Sequence, residues 1–295
     1  LSSTLAPTAI CSGGTFSYTP TSVTTGSSFS WSRAAIVGIN GNTGAGPTVG
    51  VVSEVLTNST GATIPVTYVY TTTANGCSNG GENVIVNVEP TPVVNNPADE
   101  SLCAGAATTA ITFTGTATSY SWVNSTPSIG LAASGTGNIA SFTAVNSGTS
   151  PVTATIVVTP HYNGCTGATE NVTITVNPTP VLSSTLTPAA ICSGDTFSYT
   201  PTSATGSSSF SWSRALVSGI SEVANASTGN ISETLTNTTS TPINVTYVIT
   251  TTANSCSNAG QSVVVTVNPT PVLSSTLTPT AICSGGTFSY TPTSV

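Results

Sequence analysis

The stretch LSSTLAPTAICSGGTFSYTPTSV, residues 1–23, returns twice in the same chain. LSSTLTPAAICSGDTFSYTPTSA occupies residues 182–204, and LSSTLTPTAICSGGTFSYTPTSV occupies residues 273–295. Self-similarity at a fixed period is typical of tandem repeats, in which each repeat is one supersecondary unit. The sequence therefore predicts a chain of consecutive small domains.

Pairs of prolines separated by one residue mark the boundaries between the repeats. They lie in the segments VEPTPVV, VNPTPVL and VNPTPVL, at Pro90 and Pro92, Pro178 and Pro180, and Pro269 and Pro271. Proline fixes φ and removes an amide donor, so each pair ends a strand and favours a short, extended connection. The predicted domains are 1–92, 93–180 and 181–271, and residues 272–295 are the incomplete start of a fourth repeat with its first two strands.

Apolar residues alternate with Ser and Thr throughout the third repeat. The alternating residues are Phe197 and Tyr199, Phe210 and Trp212, Val245, Tyr247 and Ile249, and Val263, Val265 and Val267. A period of two predicts strands with one buried face and one solvated face, and Gly/Asn/Ser clusters between them predict turns. About seven short strands in some 90 residues are typical of an antiparallel β-sandwich with Greek-key connections. The predicted fold class is all-β, with tandem sandwiches arranged as a rod.

An aromatic pair recurs at one position of every complete repeat. Its members are Phe29 and Trp31, Tyr120 and Trp122, and Phe210 and Trp212. Residues two apart on a strand share a face, and repetition at a strand centre indicates core aromatics that bury large apolar areas. The alternative is a sugar-stacking platform on an exposed face.

The only two basic residues, Arg33 and Arg214, each follow that Trp by two positions and so share its inward face. A buried charge needs a partner, and the same two repeats carry Glu54 and Glu233 in similar segments, whereas the middle repeat has Asn124 and Phe142 instead. This co-occurrence predicts structural ion pairs between Arg33 and Glu54 and between Arg214 and Glu233. The alternative is an arginine that binds an external carboxylate.

Seven cysteines recur at an early and a late position of the repeats. Taken in chain order as pairs, they are 66, 62 and 64 residues apart, and one cysteine is left over. Regular spacing without zinc-type clusters favours disulfides, and we predict one bond within each repeat: Cys11 with Cys77, Cys103 with Cys165, and Cys192 with Cys256. Disulfides persist in oxidising compartments, which predicts an extracellular, surface-exposed protein. By the same spacing, the partner of Cys283 is expected outside the chain, in a longer array of repeats.

Charged residues make up only 4% of the chain, with a net charge of -7. Two arginines and no lysine cannot form a nucleic-acid-binding surface, and no apolar run is long enough to insert into a membrane. The acidic residues are scattered along the chain except for the adjacent Asp99 and Glu100, and the lone His161 is expected in an exposed turn. The glycines of residues 38–50 lack the spacing of a phosphate-binding loop, so this segment is predicted to be a flexible loop. We therefore predict no catalytic residue, no metal and no cofactor.

The segments SSTLTP, ICSG, TFSYTPTS, SFSWSRA and VNPTP resemble the PKD-like, immunoglobulin-like repeats of large Bacteroidota surface proteins. Those proteins are similar to gliding-motility adhesins exported by type IX secretion. The resemblance spans the whole chain and is looser in the middle repeat. It departs from a typical PKD domain after Trp31, where Ser32 and Arg33 replace an acidic, glycine-rich segment.

The resemblance implies a non-enzymatic role: a stalk or filament segment of a bacterial cell-surface adhesin that spaces a distal tip from the cell. The expected partners are neighbouring repeats of the same polypeptide and other copies in a filament, with no nucleic acid. Two alternatives remain open at this stage. One is a glycan-binding β-sandwich module, which no residue pattern supports directly, and the other is a non-catalytic spacer of a secreted enzyme.

Overall fold

The computed structural model describes residues 1–40 and 50–294, so most of the glycine-rich loop predicted at 38–50 lies outside the described residues. Within them, the structure is all-β apart from one 3-10 turn, Pro127–Ile129. Two compact units divide the chain. The first comprises Leu1–Glu100, Ala107–Thr143 and Thr153–Ile174, and the second comprises Ser101–Ala106, Ala144–Val152 and the chain from Thr175 onward.

The first repeat forms a sandwich of two sheets within the first unit. One sheet has the order β1-β8-β6-β3, with β7 paired to β6, and the other has the order β2-β5-β4. The strands are β1 (Ile10–Cys11), β2 (Gly14–Tyr18), β3 (Ser28–Arg33), β4 (Ile39–Asn40), β5 (Val52–Asn58), β6 (Ile64–Ala74), β7 (Cys77–Ser78) and β8 (Glu82–Glu89). The β1 strand runs parallel to the end of β8, whereas the other pairs are antiparallel.

The middle repeat keeps the larger sheet and reduces the smaller layer to isolated bridges. Its sheet has the order β11-β10-β12-β14-β9, with β13 paired to β12, and the opposite layer is held by the bridges Ala107 to Thr143 and Ile111 to Ile139. The strands are β9 (Glu100–Cys103), β10 (Ser119–Asn124), β11 (Ser134–Thr136), β12 (Val152–Tyr162), β13 (Cys165–Thr166) and β14 (Glu170–Asn177).

The third repeat, in the second unit, restores the two-sheet sandwich. Its larger sheet has the order β15-β22-β20-β17-β18, with β21 paired to β20, and β16 pairs with β19 in the smaller sheet. The strands are β15 (Ile191–Cys192), β16 (Thr196–Tyr199), β17 (Ser209–Arg214), β18 (Asn225–Thr228), β19 (Ile231–Thr234), β20 (Ile243–Ala253), β21 (Cys256–Ser257) and β22 (Gln261–Asn268).

The alternation of apolar and polar residues in the sequence matches the alternation of buried and exposed residues in the strands. In β20 and β22 of the third repeat, every second residue is fully buried: Val245, Tyr247, Ile249, Val263, Val265 and Val267. The intervening residues, mostly polar, lie on the opposite face of the sheet, because successive side chains of a strand point to opposite sides. The first repeat has an equivalent core around Phe16, Leu56, Tyr68 and Tyr70.

The last described segment, residues 272–294, differs from the expectation of two strands. It contains no strand; Leu273 forms an isolated bridge with Ser294, and the Tyr290 hydroxyl donates to the carbonyl of Thr276 at 2.8 Å. Its large apolar side chains are exposed, among them Leu277 and Phe288. The equivalent Phe16 is buried in the first repeat because β2 there pairs with β5, a strand that this short segment does not supply.

Candidate functional site: buried ion pairs and disulfide bonds

Arg33 lies at the end of β3 with its side chain directed into the first sandwich, and only 4% of the residue is exposed. It faces Glu54 on β5 of the opposite sheet. Arg33 Nη2 donates to Glu54 Oε1 at 2.6 Å, and Nε donates to Oε2 at 3.1 Å. This bidentate geometry satisfies both carboxylate oxygens, as a buried guanidinium requires. The structure thus brings together the two residues that the sequence paired.

Tyr68 completes a three-residue cluster in the first repeat. It is opposite Arg33 in the register of β3 and β6, and its hydroxyl donates to Glu54 Oε2. The Arg33 guanidinium lies 5.9 Å from the centroid of the Tyr68 ring, and Trp31 packs edge-on against that ring at 5.3 Å. Burial, followed by the hydrogen bond and charge of Glu54, raises the pKa of Tyr68 above its ordinary value. The hydroxyl is therefore a donor locked to the carboxylate.

The third repeat builds the same cluster from Arg214, Glu233 and Tyr247. Arg214 Nε donates to Glu233 Oε2 at 3.0 Å, and the Tyr247 hydroxyl donates to the same oxygen at 2.6 Å. Two further contacts complete this cluster: Asn225 Nδ2 donates to Glu233 Oε1 at 2.6 Å, and Arg214 Nη2 donates to the Val223 carbonyl at 2.7 Å.

In this second cluster, Arg214 and Glu233 each stabilise the ionised form of the other. Burial disfavours the ionised form of Glu233, but hydrogen bonds from Arg214, Tyr247 and Asn225 outweigh it and lower the pKa of the carboxyl. Burial likewise disfavours the charged form of Arg214, but Glu233 outweighs it and raises the pKa of the guanidinium. Both groups stay ionised. Their donors and acceptors are directed at each other inside the sandwich, so an external carboxylate has no access to the guanidinium.

The middle repeat replaces the whole cluster with neutral groups. Asn124 takes the place of the arginine, is 4% exposed, and faces Ile156 in the register of β10 and β12. Its Nδ2 donates to the carbonyls of Leu131 and Ala132 at 3.1 and 3.3 Å, and its Oδ1 accepts from the Thr126 amide at 3.0 Å. Phe142, at the position expected for the glutamate, is half-buried. One buried amide thus takes over the role of a charged triad.

The disulfides join consecutive repeats, and the predicted bonds within repeats are wrong. Cys11 bonds Cys165, and Cys103 bonds Cys256, with Cα atoms 5.6 Å apart in both pairs. Cys77, Cys192 and Cys283 are free and exposed. The predicted pairs Cys11 with Cys77, Cys103 with Cys165, and Cys192 with Cys256 do not form.

Strand geometry explains why a bond within a repeat cannot form. Cys11 pairs with Glu89 at the end of β8, where β6 begins, because Ile64 is opposite Val88. Cys77 instead lies beyond the far end of β6, opposite Ala74. Ten residues of strand separate the two ends, which is about 33 Å at 3.3 Å per residue. Cysteines with Cα atoms more than about 7 Å apart cannot be bridged.

The bond between repeats is accompanied by polar contacts in the first unit. The tight turn Asn163 and Gly164, both with positive φ, places Cys165 at the tip of the hairpin of β12 and β13. Asn163 Nδ2 donates to Glu89 Oε2 at 3.2 Å, beside Cys11, and Thr63 donates to the same oxygen at 2.5 Å. Glu89 is buried and hydrogen-bonded at this contact. A leading cysteine and the trailing hairpin of the following repeat therefore form one specific contact.

The core aromatics are interior residues. Trp122 and Trp212 are buried, and the other four members of the set are half-buried: Phe29, Trp31, Tyr120 and Phe210. The indole nitrogens of all three tryptophans are buried without a hydrogen-bond partner. A sugar-stacking platform needs an exposed ring face, so this arrangement favours the role of core anchor.

Other candidate groups do not converge on a chemical site. Asp99 Oδ1 accepts from the Thr173 amide at 2.7 Å, which lowers the pKa of Asp99, and Glu100 accepts from Thr109. His161 lies within β12, half-buried, with Nε2 2.8 Å from Ser121 Oγ, so the expectation of an exposed turn residue is wrong. In residues 1–40 and 50–294, no group of three or more His, Cys, Asp and Glu could hold a metal ion. Over the same residues, no helix is long and apolar enough to cross a membrane.

The sequence profile of the PKD-like domain matches residues 8–92 and 189–271, more than half of the chain. The chain belongs to the PKD-like domain family. Tandem domains of this family are structural or adhesion-type extracellular modules that are typically non-catalytic, and the two disulfides agree with an extracellular protein.

Solved structures similar to this PKD-like chain include fragments of titin and of cadherin-23. The I67–I69 fragment from the titin I-band has 14% identity and a TM-score of 0.48, covering 90% of this chain and 97% of its own. Mouse cadherin-23 EC22–24 has 11% identity and a TM-score of 0.36, covering 90% and 95%. No curated protein is similar enough to this chain to be matched.

Sequence reasoning missed two features of these PKD-like repeats. The first is that Tyr68 and Tyr247 belong to the ion-pair clusters. Their co-occurrence with an arginine could have indicated this, as it did for the glutamates, because the middle repeat has Ile156 at the same position. The disulfide partners had no such signal, because Cys11 and Cys103 each have a trailing cysteine in their own repeat and another in the next.

Proposed function

We propose that this PKD-like chain is a stalk or filament segment of a bacterial cell-surface adhesin, which holds a distal adhesive or functional tip away from the cell. The more specific class we propose is that of the Bacteroidota gliding-motility adhesins exported by type IX secretion, on the strength of the repeated motifs. In this role the repeats perform no chemistry. Their partners are the neighbouring repeats of the same polypeptide.

The observation that carries the proposal is the overlap of the two disulfides. Cys11 to Cys165 spans 154 residues and Cys103 to Cys256 spans 153, so residues 103–165 lie inside both loops. Each bond therefore limits how far two consecutive repeats can extend when the chain is pulled. A binding module or an enzyme spacer does not need such a covalent limit, whereas a load-bearing stalk does.

The limit can be estimated from the covalent path. A reduced, fully unfolded chain of 295 residues reaches about 1,000 Å at about 3.5 Å per residue. With both bonds intact, the shortest path runs from residue 1 to 11, back from 165 to 103, and on from 256 to 295. That path reaches only about 400 Å at the same rise. Oxidation thus shortens the maximum extension by more than half.

Immunogold electron microscopy of intact cells that produce the chain tests the proposal. With antibodies raised against residues 1–271, we expect gold particles along surface filaments, at distances from the cell envelope that exceed the length of a single domain. Antibody pre-absorbed with the purified chain is the control. Label confined to the envelope or to the culture medium would overturn the stalk role, and release of the label together with an enzyme activity would favour the spacer of a secreted enzyme.

Single-molecule pulling of the purified chain tests the mechanical part. We expect the final extension of the oxidised chain to be less than half that of the same chain after reduction. The matched control replaces Cys11, Cys103, Cys165 and Cys256 by Ala, which should make the extension independent of the reductant. Equal extensions of the oxidised and reduced chains would contradict a load-limiting role.

A further inference from the structure

The contact beside the bond of Cys11 and Cys165 contains a buried carboxylate. Glu89 is only 4% exposed, and it lies opposite Cys11 in the register of β1 and β8. Its Oε2 accepts from Thr63 Oγ1 of the same repeat at 2.5 Å and from Asn163 Nδ2 of the middle repeat at 3.2 Å. Burying a carboxylate is costly unless hydrogen bonds replace its hydration. Glu89 therefore obtains one of these two donors from the repeat that follows it.

Neither arginine of the chain is a partner of this carboxylate. Arg33 is paired with Glu54 and Arg214 with Glu233, each pair inside its own sandwich. The hydroxyl and the amide that bind Glu89 are neutral donors. Hydrogen bonds to an ionised acceptor are stronger than those between neutral groups. The amide that the middle repeat supplies is therefore a strong contact between the two repeats.

The joint between the middle and third repeats lacks this carboxylate. Asn177 ends β14 as Glu89 ends β8, so a neutral amide takes its place. Asn177 Nδ2 donates to Ser101 Oγ of its own repeat at 3.3 Å. The facing hairpin turn keeps the asparagine, because Asn254 has a positive φ as Asn163 has. The two joints thus present the same hairpin residue to a carboxylate in one case and to an amide in the other.

The hydrogen bond of Glu89 with Asn163 holds the two sulfurs of the first disulfide near each other. Asn163 precedes Cys165 by two residues in a tight turn, and Glu89 is opposite Cys11. A contact that exists only when the hairpin is docked raises the effective concentration of one thiol at the other. By linkage, the contact favours the disulfide by the same factor by which the disulfide favours the contact.

We propose that Glu89 is a positioning residue that selects Cys165 as the disulfide partner of Cys11, by binding the side-chain amide of Asn163 before the bond forms. Seven cysteines compete for partners in the reduced chain, and their spacing does not distinguish the pairs. A hairpin tip that carries an amide two residues before its cysteine is the partner that this carboxylate fits. This role goes beyond the stalk function, because Glu89 exercises it while the disulfides form.

The bond forms by thiol–disulfide exchange with a low-molecular-weight disulfide such as oxidised glutathione. The Cys11 thiolate attacks one sulfur of the glutathione disulfide, forms a mixed disulfide and releases one glutathione thiolate. The Cys165 thiolate then attacks the Cys11 sulfur and releases the second glutathione thiolate. Two protein thiols are oxidised to one disulfide, and one glutathione disulfide is reduced to two thiols. Glu89 acts through Asn163 and exchanges no electrons or protons in these steps.

The test is the equilibrium constant of each disulfide against glutathione. The purified full chain is equilibrated in buffers with a series of ratios of reduced to oxidised glutathione, alkylated, and digested without reduction by a protease that does not require basic residues. Mass spectrometry then gives the fraction of Cys11 bonded to Cys165 and of Cys103 bonded to Cys256 at each ratio. The second bond is an internal control in every sample.

Asn163→Asp removes the amide donor and places a second carboxylate beside Glu89, while aspartate still tolerates the positive φ of the turn. We expect it to lower the equilibrium constant of the first bond by about tenfold or more, since it removes a hydrogen bond to a charged group. The second bond should change by less than about twofold, as expected for a distant site. Asn254→Asp is the matched control, because its joint has Asn177 in place of the carboxylate, and it should leave both constants within the same limit.

A double variant separates positioning from general damage to the hairpin. Glu89→Gln combined with Asn163→Asp reverses the pair, so that the amide lies in the first repeat and the carboxylate in the middle repeat. It should restore the first constant to within about threefold of the original, because the coupled pair is re-formed. This variant also decides the outcome if Asn163→Asp alone unfolds the middle repeat. An unchanged constant in Asn163→Asp, equal losses in both bonds, an equal loss in Asn254→Asp, or a double variant without recovery would each overturn the proposal.

Discussion

The third and middle repeats of this PKD-like chain place different chemistry at the same point of the same sheet. The third repeat sets Arg214 opposite Tyr247 and closes the cluster with Glu233, whereas the middle repeat sets Asn124 opposite Ile156 and satisfies it with backbone groups. The strand order of the larger sheet is equivalent in both. The comparison shows that strand pairing and alternation specify the fold, while the polar cluster is a local solution that can be exchanged if every buried group keeps a partner.

The largest loss of stability should come from removing one charged residue of the cluster in the third repeat. Arg214→Met leaves Glu233 ionised in the sandwich with its main partner removed, and we expect the third repeat to lose about 3 to 5 kcal/mol of stability. Amide hydrogen exchange in β17 and β20, read by mass spectrometry, measures this locally without requiring the whole chain to unfold in one step.

A double variant tells whether the charges or the volume matter. Arg214→Met with Glu233→Leu removes both charges together, and it should recover most of the loss, because apolar replacement of a buried pair is often neutral. If the double variant is as unstable as the single one, the third repeat cannot adopt a neutral core in the way that the middle repeat does.

The tyrosine of the cluster should contribute less than the arginine. Tyr247→Phe removes the hydroxyl that donates to Glu233 at 2.6 Å, and a hydrogen bond to a charged group contributes about 1.5 to 3 kcal/mol. Hydrogen exchange in β19 and β20 reports the change. Tyr199→Phe is the control, since its hydroxyl donates to the neutral carbonyl of Thr185 and its loss should cost about 1 kcal/mol. Equal effects of the two variants would mean that the charge of Glu233 does not strengthen the bond.

The middle repeat has a glycine opposite its core tryptophan, where the third repeat has a serine. Gly135 lies opposite Trp122, and a Cβ there would overlap the indole ring, whereas Ser227 lies opposite Trp212 in the third repeat. We expect Gly135→Ala to destabilise the middle repeat by about 1 to 3 kcal/mol through overpacking. Ser227→Ala should stay within about 0.5 kcal/mol, as for other surface changes. Hydrogen exchange in β10 measures the first effect, and an unchanged β10 would contradict the packing argument.

The smallest expected difference between the two repeats is the loss of stability of the third repeat in acid. The folded state lowers the pKa of Glu233, so its contribution is fully present above the unfolded value for Glu, about 4.3, and is lost as the pH falls through the lowered folded value. We expect the free energy of unfolding of the third repeat to fall as the pH falls through that window, with a measurable slope that Glu233→Gln abolishes. Urea unfolding followed by hydrogen exchange at a series of pH values provides the slope. A slope that persists in Glu233→Gln would assign it to other carboxyls.

The sequence could predict what local pattern and repetition determine. Alternation around Tyr247 and Val265 predicted the buried faces of β20 and β22, and the co-occurrence of Arg214 with Glu233 predicted their contact. The cysteine pairing failed because separation along the chain does not reveal which end of a sandwich a residue occupies. Cys11 and Cys77 are 66 residues apart in sequence but belong to opposite ends of β6, and only the strand registers show it.

The overlapping disulfides also determine what a single cut in the backbone can do. A cut between Cys11 and Cys165 leaves two pieces joined by the first bond, and a cut between Cys103 and Cys256 leaves them joined by the second. Because the loops overlap, no single peptide bond between residues 11 and 256 can be hydrolysed so that the chain falls into two molecules. Bonds confined to each repeat would have left the proline-containing linkers unprotected. Proteolytic nicking in this stretch therefore damages the chain without severing it.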